Sequence, residues 1–422
     1  MIPVPNNKPT EATASRLSHA GAEGCAESRL LLSRRSMLGV TAGLFSSAFM
    51  PRFAEAAGGG DPRLLVVILR GGMDGLSTVV PYGDSSYVSM RGELAIPAAS
   101  TTKLDSFFGL HPALRNFAAF YKAGDAAIVH ATCVPLRNRS HFDAQDNLEN
   151  GLPGLKSNTT GWLNRVLTAL PAGEPIRSKG AIQIGQAPLL LRGTAPVLGW
   201  SPTSFGDVEE GTLNAIRMLY KNRDPQLLTY LDRGLKAKRF AEGLGSDPRQ
   251  MSDLHKGFSG AGRMLAAQDG PRVAVLSVDG WDTHTEQGAA QGGLADLLRE
   301  LDDGLAYFKG TAGAIWSKTV VLIVTEFGRT VRNNGNHGSD HGVATVALLA
   351  GGAVNGGRVI GDWPGLAAKN LYDGRDLRPT TDLRSIFKGV LRDHLGVPDA
   401  IINKTAFPES AIAPPLRDLI KA

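Results

Sequence analysis

The stretch Leu64-Leu65-Val66-Val67-Ile68-Leu69-Arg70-Gly71-Gly72-Met73-Asp74 decides the fold. An apolar run with no polar alternation predicts a strand buried on both faces. Two glycines and an aspartate behind it predict a sharp turn at its carboxyl end. Residues 126–131, 272–278, 319–324 and 343–349 read the same way. Between them, 111–122 and 294–308 carry apolar residues at helical spacing. Strands alternating with helices imply an α/β fold, a mostly parallel sheet sandwiched by helices. Ligands in such sheets bind outside the carboxyl ends of the strands. Residues 205–270 depart from this pattern, being charged and helical without buried-strand runs, and are expected to form a helical insertion or cap. The spacing of Leu227, Leu228, Leu231 and Leu235 predicts an amphipathic face that packs into the core.

Residues 1–32 are polar and unpatterned. Ser33-Arg34-Arg35-Ser36-Met37-Leu38-Gly39 then precedes a weakly apolar run ending at Met50, too short to cross a bilayer. Arg52 and the small-x-small site Ala54-Glu55-Ala56 follow. This order predicts a twin-arginine export signal over 1–56, cleaved after Ala56. The expected partner is the twin-arginine translocase, and the expected destination is the periplasm or the extracellular medium. The remaining 366 residues suffice for a full apolar core. No later stretch is apolar enough for a transmembrane helix, and no fixed-period repeat is present.

The formal charge is +5; residues 1–56 hold six Lys or Arg and four Asp or Glu, leaving about +3 and no argument for nucleic acid. Cys25 leaves with the signal, so Cys133 has no internal disulfide partner.

Polar residues gather at strand edges. Asp74 follows the first strand; Asp282 and His284 follow the strand at 272–278; Glu326 and Arg329 follow that at 319–324; Asp340 and His341 precede that at 343–349. A single aspartate after a strand is ordinarily a cap or turn former. Several carboxylates and imidazoles converging would repel without a cation, which points to a divalent metal, one or two ions of Zn, Mn, Mg or Ca. Ser140 opens the helical run His141-Phe142-Asp143-Ala144-Gln145-Asp146, which stops at Gly151. It has two readings: a helix N-cap, and a nucleophile whose hydroxyl a neighbouring cation would activate. His141 is open between an acid–base role and packing, and His337 between a ligand and a solvated loop residue.

In this order the residues resemble the alkaline phosphatase superfamily, which includes phosphomonoesterases, cofactor-independent phosphoglycerate mutases and sulfatases. The chain is more closely similar to a bacterial exported family, domain of unknown function 1501. That resemblance rests on the Arg-Arg signal, Gly-Gly-Met-Asp-Gly-Leu at 71, Arg-Ser-His-Phe at 139, Asp-Thr-His at 282, Thr-Glu-Phe-Gly-Arg at 325, Asp-His-Gly at 340 and Thr-Thr-Asp-Leu-Arg at 380. It implies an alkaline phosphatase-like fold. It also implies one metal on Asp282, His284 and His341, and a second on Asp74 and Glu326 with Asp340.

The chain departs from the superfamily in placing Glu326 and Phe327 where an Asp-His pair is usual, which removes one imidazole, and in shortening Asp-x-x-x-His to Asp-Thr-His. The implied activity is hydrolysis of a small phosphate or sulfate ester, with Ser140 as nucleophile and Arg139 and Arg329 holding non-bridging oxygens. Two alternatives stand beside it: a noncatalytic exported binding or assembly protein, and a sulfatase in which Cys133, within Cys-x-Pro-x-Arg, is converted to formylglycine.

Overall fold

The computed structural model describes residues 61–155, 158–202, 208–243 and 251–422. The expected signal at 1–56 lies outside them, as do 205–207 and 244–250 of the 205–270 segment.

Among the described residues nine strands form one sheet: β1 Arg63–Leu69, β2 Ala126–Cys133, β3 Ala181–Ile184, β4 Val197–Trp200, β5 Val273–Val278, β6 Thr319–Thr325, β7 Thr345–Ala350, β8 Arg358–Ile360 and β9 Thr381–Asp382. Their order is β8-β2-β7-β6-β1-β5-β3-β4, with β9 also paired to β2. The five long apolar runs became the strands expected of them. The other four are short or half-buried, and their sequences carry no continuous apolar run.

β1 is central and wholly buried, paired in parallel with β5 (Leu64 opposite Val273) and with β6 (Leu65 opposite Val321). Its side chains alternate between two cores. Leu64, Val66 and Ile68 join Trp162 and Val166 of helix Trp162–Ala169, and Ile386, Phe387 and Val390 of helix Leu383–Asp393. Leu65, Val67 and Leu69 join Phe117 of helix Arg115–Lys122, Phe258 and Leu265 of helix Asp253–Ala266, and Leu298, Leu301 and Leu305 of helix Gly293–Ala312. Helices therefore cover both faces, and each buried Leu or Ile contributes roughly 1.5–3 kcal/mol of transfer free energy.

β7 is the exception to the parallel arrangement, running antiparallel to both β2 and β6. Its amino end consequently lies at the edge where its neighbours' carboxyl ends emerge. Asp340 and His341, which precede a strand in sequence, thereby reach the same edge as residues that follow strands.

The described residues of the 205–270 segment are helical but divided. Helices Glu210–Arg223 and Pro225–Gly243 pack on each other, and the first buries no residue. Helix Asp253–Ala266 is instead an integral part of the sandwich, packed along helix Gly293–Ala312. The leucine face at 227–235 does not enter the main core. Leu228, Leu231 and Leu235 are half-buried and Leu227 is exposed, because this helix lies against the edge strand β4. No described helix is long and apolar enough to cross a membrane.

Two buried histidines tie the sheet to its surroundings. His130 on β2 donates from Nε2 to the Val79 carbonyl at 3.2 Å and accepts the Ala131 amide at Nδ1. His394 donates from Nε2 to the Arg63 carbonyl at 2.8 Å. Burial pushes both rings down to about 4. Between about pH 6.5 and 4 the unfolded chain protonates these rings while the folded chain does not. Folding stability should therefore fall as pH falls through that window, by roughly 3 kcal/mol per ring, and not change on their account above it. Urea midpoints between pH 7 and 4.5 measure this, and His130→Gln should flatten the slope.

Candidate metal centre

Three turns meet at the carboxyl edge of β1, β5 and β6. After β1, Gly71 and Gly72 adopt φ of 125° and 75°. A Cβ on Gly71 would stand 2.4 Å from the Asp282 amide nitrogen, and one on Gly72 2.5 Å from the Phe327 ring. The two glycines thus let the first turn press directly against the turns that carry Asp282 and Glu326.

Helix His141–Asn150 enters from β2. Ser140 is its N-cap, accepting the Asp143 amide at 3.5 Å, a long bond, and Gly151 ends the helix in a left-handed conformation. His141 and Gln145, four apart, share one helix face. Both donate to Glu326 Oε1, His141 from Nδ1 at 2.8 Å and Gln145 from Nε2 at 2.9 Å.

Each of three imidazoles has its Nδ1 assigned to an acceptor behind it. His141 has Glu326; His341 donates to the Arg139 carbonyl at 2.9 Å; His284 Nδ1 lies 3.3 Å from Asp340 Oδ1. With Nδ1 protonated, every neutral ring presents its Nε2 lone pair forward. These atoms converge on one carboxylate: His284 and His341 Nε2 are each 3.1 Å from Asp282 Oδ1, and His141 Nε2 is 3.4 Å from Oδ2. His284 and His341 Nε2 are 2.9 Å apart, and the buried His141 Nε2 has no hydrogen-bond partner. Lone pairs facing one another and a carboxylate at these distances are held only around a shared proton or cation.

Ligands at about 2.0–2.1 Å from a tetrahedral ion stand about 3.3 Å apart, close to the spacing found. His141, Asp282 and His341 form a group able to hold a metal, and His284 adjoins it. Outer acceptors on the remote ring nitrogens are the arrangement that orients metal-binding histidines.

The electrostatics agree with an ionised carboxylate. Burial opposes ionisation of Asp282, but Arg329, His284 and His341 outweigh it and hold its pKa low. The hydrogen bond to Glu326 raises that of His141 against the effect of burial, while burial lowers that of His341. Glu326 is itself buried, yet its bonds from His141, Gln145 and Gly71 keep it below the usual range.

The other expected site residues stand elsewhere. Asp74 is buried, capping Gly75–Thr78 through the Leu76 and Ser77 amides and paired with Arg91 and Gln287 Nε2 (2.6 Å). Glu326 and Asp340 lie behind His141 and His284, not among the converging atoms. Arg329, 1% exposed, donates to the carbonyls of Gly71, Gly72, Trp281 and Ser339 and to Asp282 Oδ1 at 2.5 Å, so it locks the three turns together and aims the carboxylate. Arg139 is engaged by Asp373 (2.9 Å) and Asp376 (2.6 Å).

Cys133 ends β2 outside the histidine group, its thiol pushed up to about 12 by burial and Asp382. His337 is exposed and bound to Glu93 at 3.0 Å. Phe327, at the position where the resemblance has an imidazole that this chain lacks, packs its ring 4.8 Å from both His141 and His341.

Sequence reasoning did not place His141 among the converging ligands. The available signal was its four-residue spacing to Gln145 beside the Ser140 cap. It also missed Arg375, half-exposed, which donates to the His341 carbonyl at 2.7 Å and lies in a loop of no distinctive pattern.

None of the curated proteins matches the chain. Among solved structures it is similar to the phosphonate monoester hydrolase of Agrobacterium radiobacter (15% identity, TM-score 0.31, 80% of this chain and 74% of that one). It is also similar to a protein in the alkaline phosphatase superfamily from Vibrio parahaemolyticus (11%, 0.33, 69% and 60%) and to a sulfatase from Pseudoalteromonas sp. (14%, 0.36, 92% and 78%). The family described as "Protein of unknown function (DUF1501)" matches residues 131–405, which include the carboxyl end of β2, the Ser140 helix start and all four converging side chains. That match spans more than half of the sequence, and the chain belongs to the DUF1501 family.

Proposed function

We propose that this chain is an exported, metal-dependent hydrolase of phosphate or sulfate esters, with one divalent ion on His141, Asp282, His284 and His341 and with Ser140 as nucleophile. The convergence of three Nε2 atoms on the Asp282 carboxylate carries this reading. Three imidazoles and one carboxylate favour Zn over the oxygen-seeking Mg and Ca. Such an ion would polarise an ester oxygen.

Ser140 immediately precedes a converging histidine, at the amino end of a ten-residue helix whose free amides favour an anionic ester. Its Oγ bonds to phosphorus or sulfur as the bond to the leaving oxygen breaks. The hydroxyl proton passes through solvent to the leaving alcohol. Water then cleaves the seryl ester and restores Ser140. Export after folding, through the signal at Arg34 and Arg35, would let the site take its ion in the cytoplasm.

The test is a screen of aryl phosphates, diesters and sulfates on protein from the periplasm, with elemental analysis and peptide mapping. Ser140→Ala should abolish turnover and the covalent adduct while leaving metal content intact. Turnover that survives this change removes Ser140 from the mechanism.

A second reading, a noncatalytic exported binding or assembly protein, is favoured by the engagement of Arg139 and Arg329 with protein groups. Bound metal with no turnover on any ester and no Ser140 adduct supports it.

A further inference from the structure

The geometry points to a centre for one metal only, in which the Arg91 guanidinium stands where the superfamily resemblance places a second cation; this rests on the proposed metal-binding role of the histidine group. The resemblance assigns that second ion to Asp74 and Glu326, and neither carboxylate has room for it.

Asp74 Oδ1 accepts the Leu76 amide at 3.0 Å and the Ser77 amide at 3.3 Å. Its Oδ2 accepts Ser77 Oγ at 3.1 Å, Gln287 Nε2 at 2.6 Å and Arg91 Nη2. Five donors use the lone-pair sites a carboxylate offers. Arg91 is fixed from behind, since its Nη1 donates to the Thr330 and Val331 carbonyls at 3.1 Å each. A guanidinium does not lose its charge in a protein. An ion bound within about 2.2 Å of Asp74 would have to displace these donors and then sit beside a fixed positive charge.

Glu326 is filled in the same way. Gly71 N (2.8 Å), His141 Nδ1 and Gln145 Nε2 converge on Oε1, and Thr325 Oγ1 donates to Oε2 at 2.9 Å. Its position behind His141 makes it the group that orients a ligand. Arg91 thus supplies in covalent form the positive charge that Asp74 requires.

Full-length protein stripped with chelator and titrated with Zn in a chelator-buffered solution, followed by calorimetry and elemental analysis, should bind one equivalent. That equivalent should vanish in Asp282→Ala and persist in Asp74→Asn with affinity within a factor of about three. Two equivalents in the wild type, one of them lost in Asp74→Asn, overturn the inference and leave the histidine centre standing, whereas loss of a sole equivalent in Asp74→Asn overturns both. No zinc bound overturns both. If Asp74→Asn does not fold, the double variant Asp74→Asn/Arg91→Met removes both charges of the pair and carries the same expected stoichiometry, and the wild-type count decides by itself.

Discussion

Asp282→Ala should abolish the proposed metal binding and, with it, the proposed ester turnover. All three converging imidazoles meet at this carboxylate, which supplies the only negative charge among the four groups. Without it, a divalent ion would face three neutral rings and the Arg329 guanidinium, which now spends one of its bonds on Asp282 Oδ1. Arg329, buried and left without its acidic partner, would add repulsion to the lost ligand. Glu326→Gln provides the contrast, because it acts one shell further out. The amide keeps one acceptor for the Nδ1 proton of His141 but loses the charge that raises the basicity of that ring. Loss of an outer partner costs roughly 10–100-fold in metal affinity. The expected order of zinc affinities is therefore wild type, then Glu326→Gln lower by that factor, then Asp282→Ala without measurable binding. Equal affinities for Asp282→Ala and wild type would remove the converging group as a metal centre.

Arg91→Ala should be strongly destabilising. Arg91 and Asp74 are both buried, and the guanidinium also satisfies Ser77 Oγ at 2.7 Å and two backbone carbonyls. Removing one member of a buried pair strands the other charge, at about 3–5 kcal/mol. That is a large share of the 5–15 kcal/mol by which ordinary domains are stable. Asp74→Asn should cost less in local structure, since an amide oxygen can still cap the Leu76 and Ser77 amides. Urea unfolding followed by circular dichroism gives both values. A cost below about 1 kcal/mol for Arg91→Ala would mean that the stranded carboxylate is well solvated, contrary to the packing around it.

These two sites show where sequence reading succeeds and where it stops. The central strand, its glycine turn and the helix from Ser140 to Gly151 were legible because local chemistry specifies them: a continuous apolar run, residues tolerant of positive φ, a hydroxyl cap and a left-handed glycine. The short strands β8 and β9 were not, since they are defined by pairing with β2 more than by composition. The gathering of Asp282, His284 and His341 at one edge was expected, but its geometric cause lay in β7. Strand direction follows from how the chain returns to the sheet and leaves no mark on the strand's own residues.

The sequence by itself determined that this protein has a buried, mainly parallel sheet covered by helices and a set of carboxylates and imidazoles at its carboxyl edge. Only the tertiary structure decided their division of labour. Arg91 reaches Asp74 across 17 positions, His141 reaches Glu326 across 185, and Gln287 reaches Asp74 across 213. A carboxylate becomes a ligand, an orienting acceptor or a buried ion-pair partner according to which donor arrives first in space, and such encounters are set by packing between distant segments.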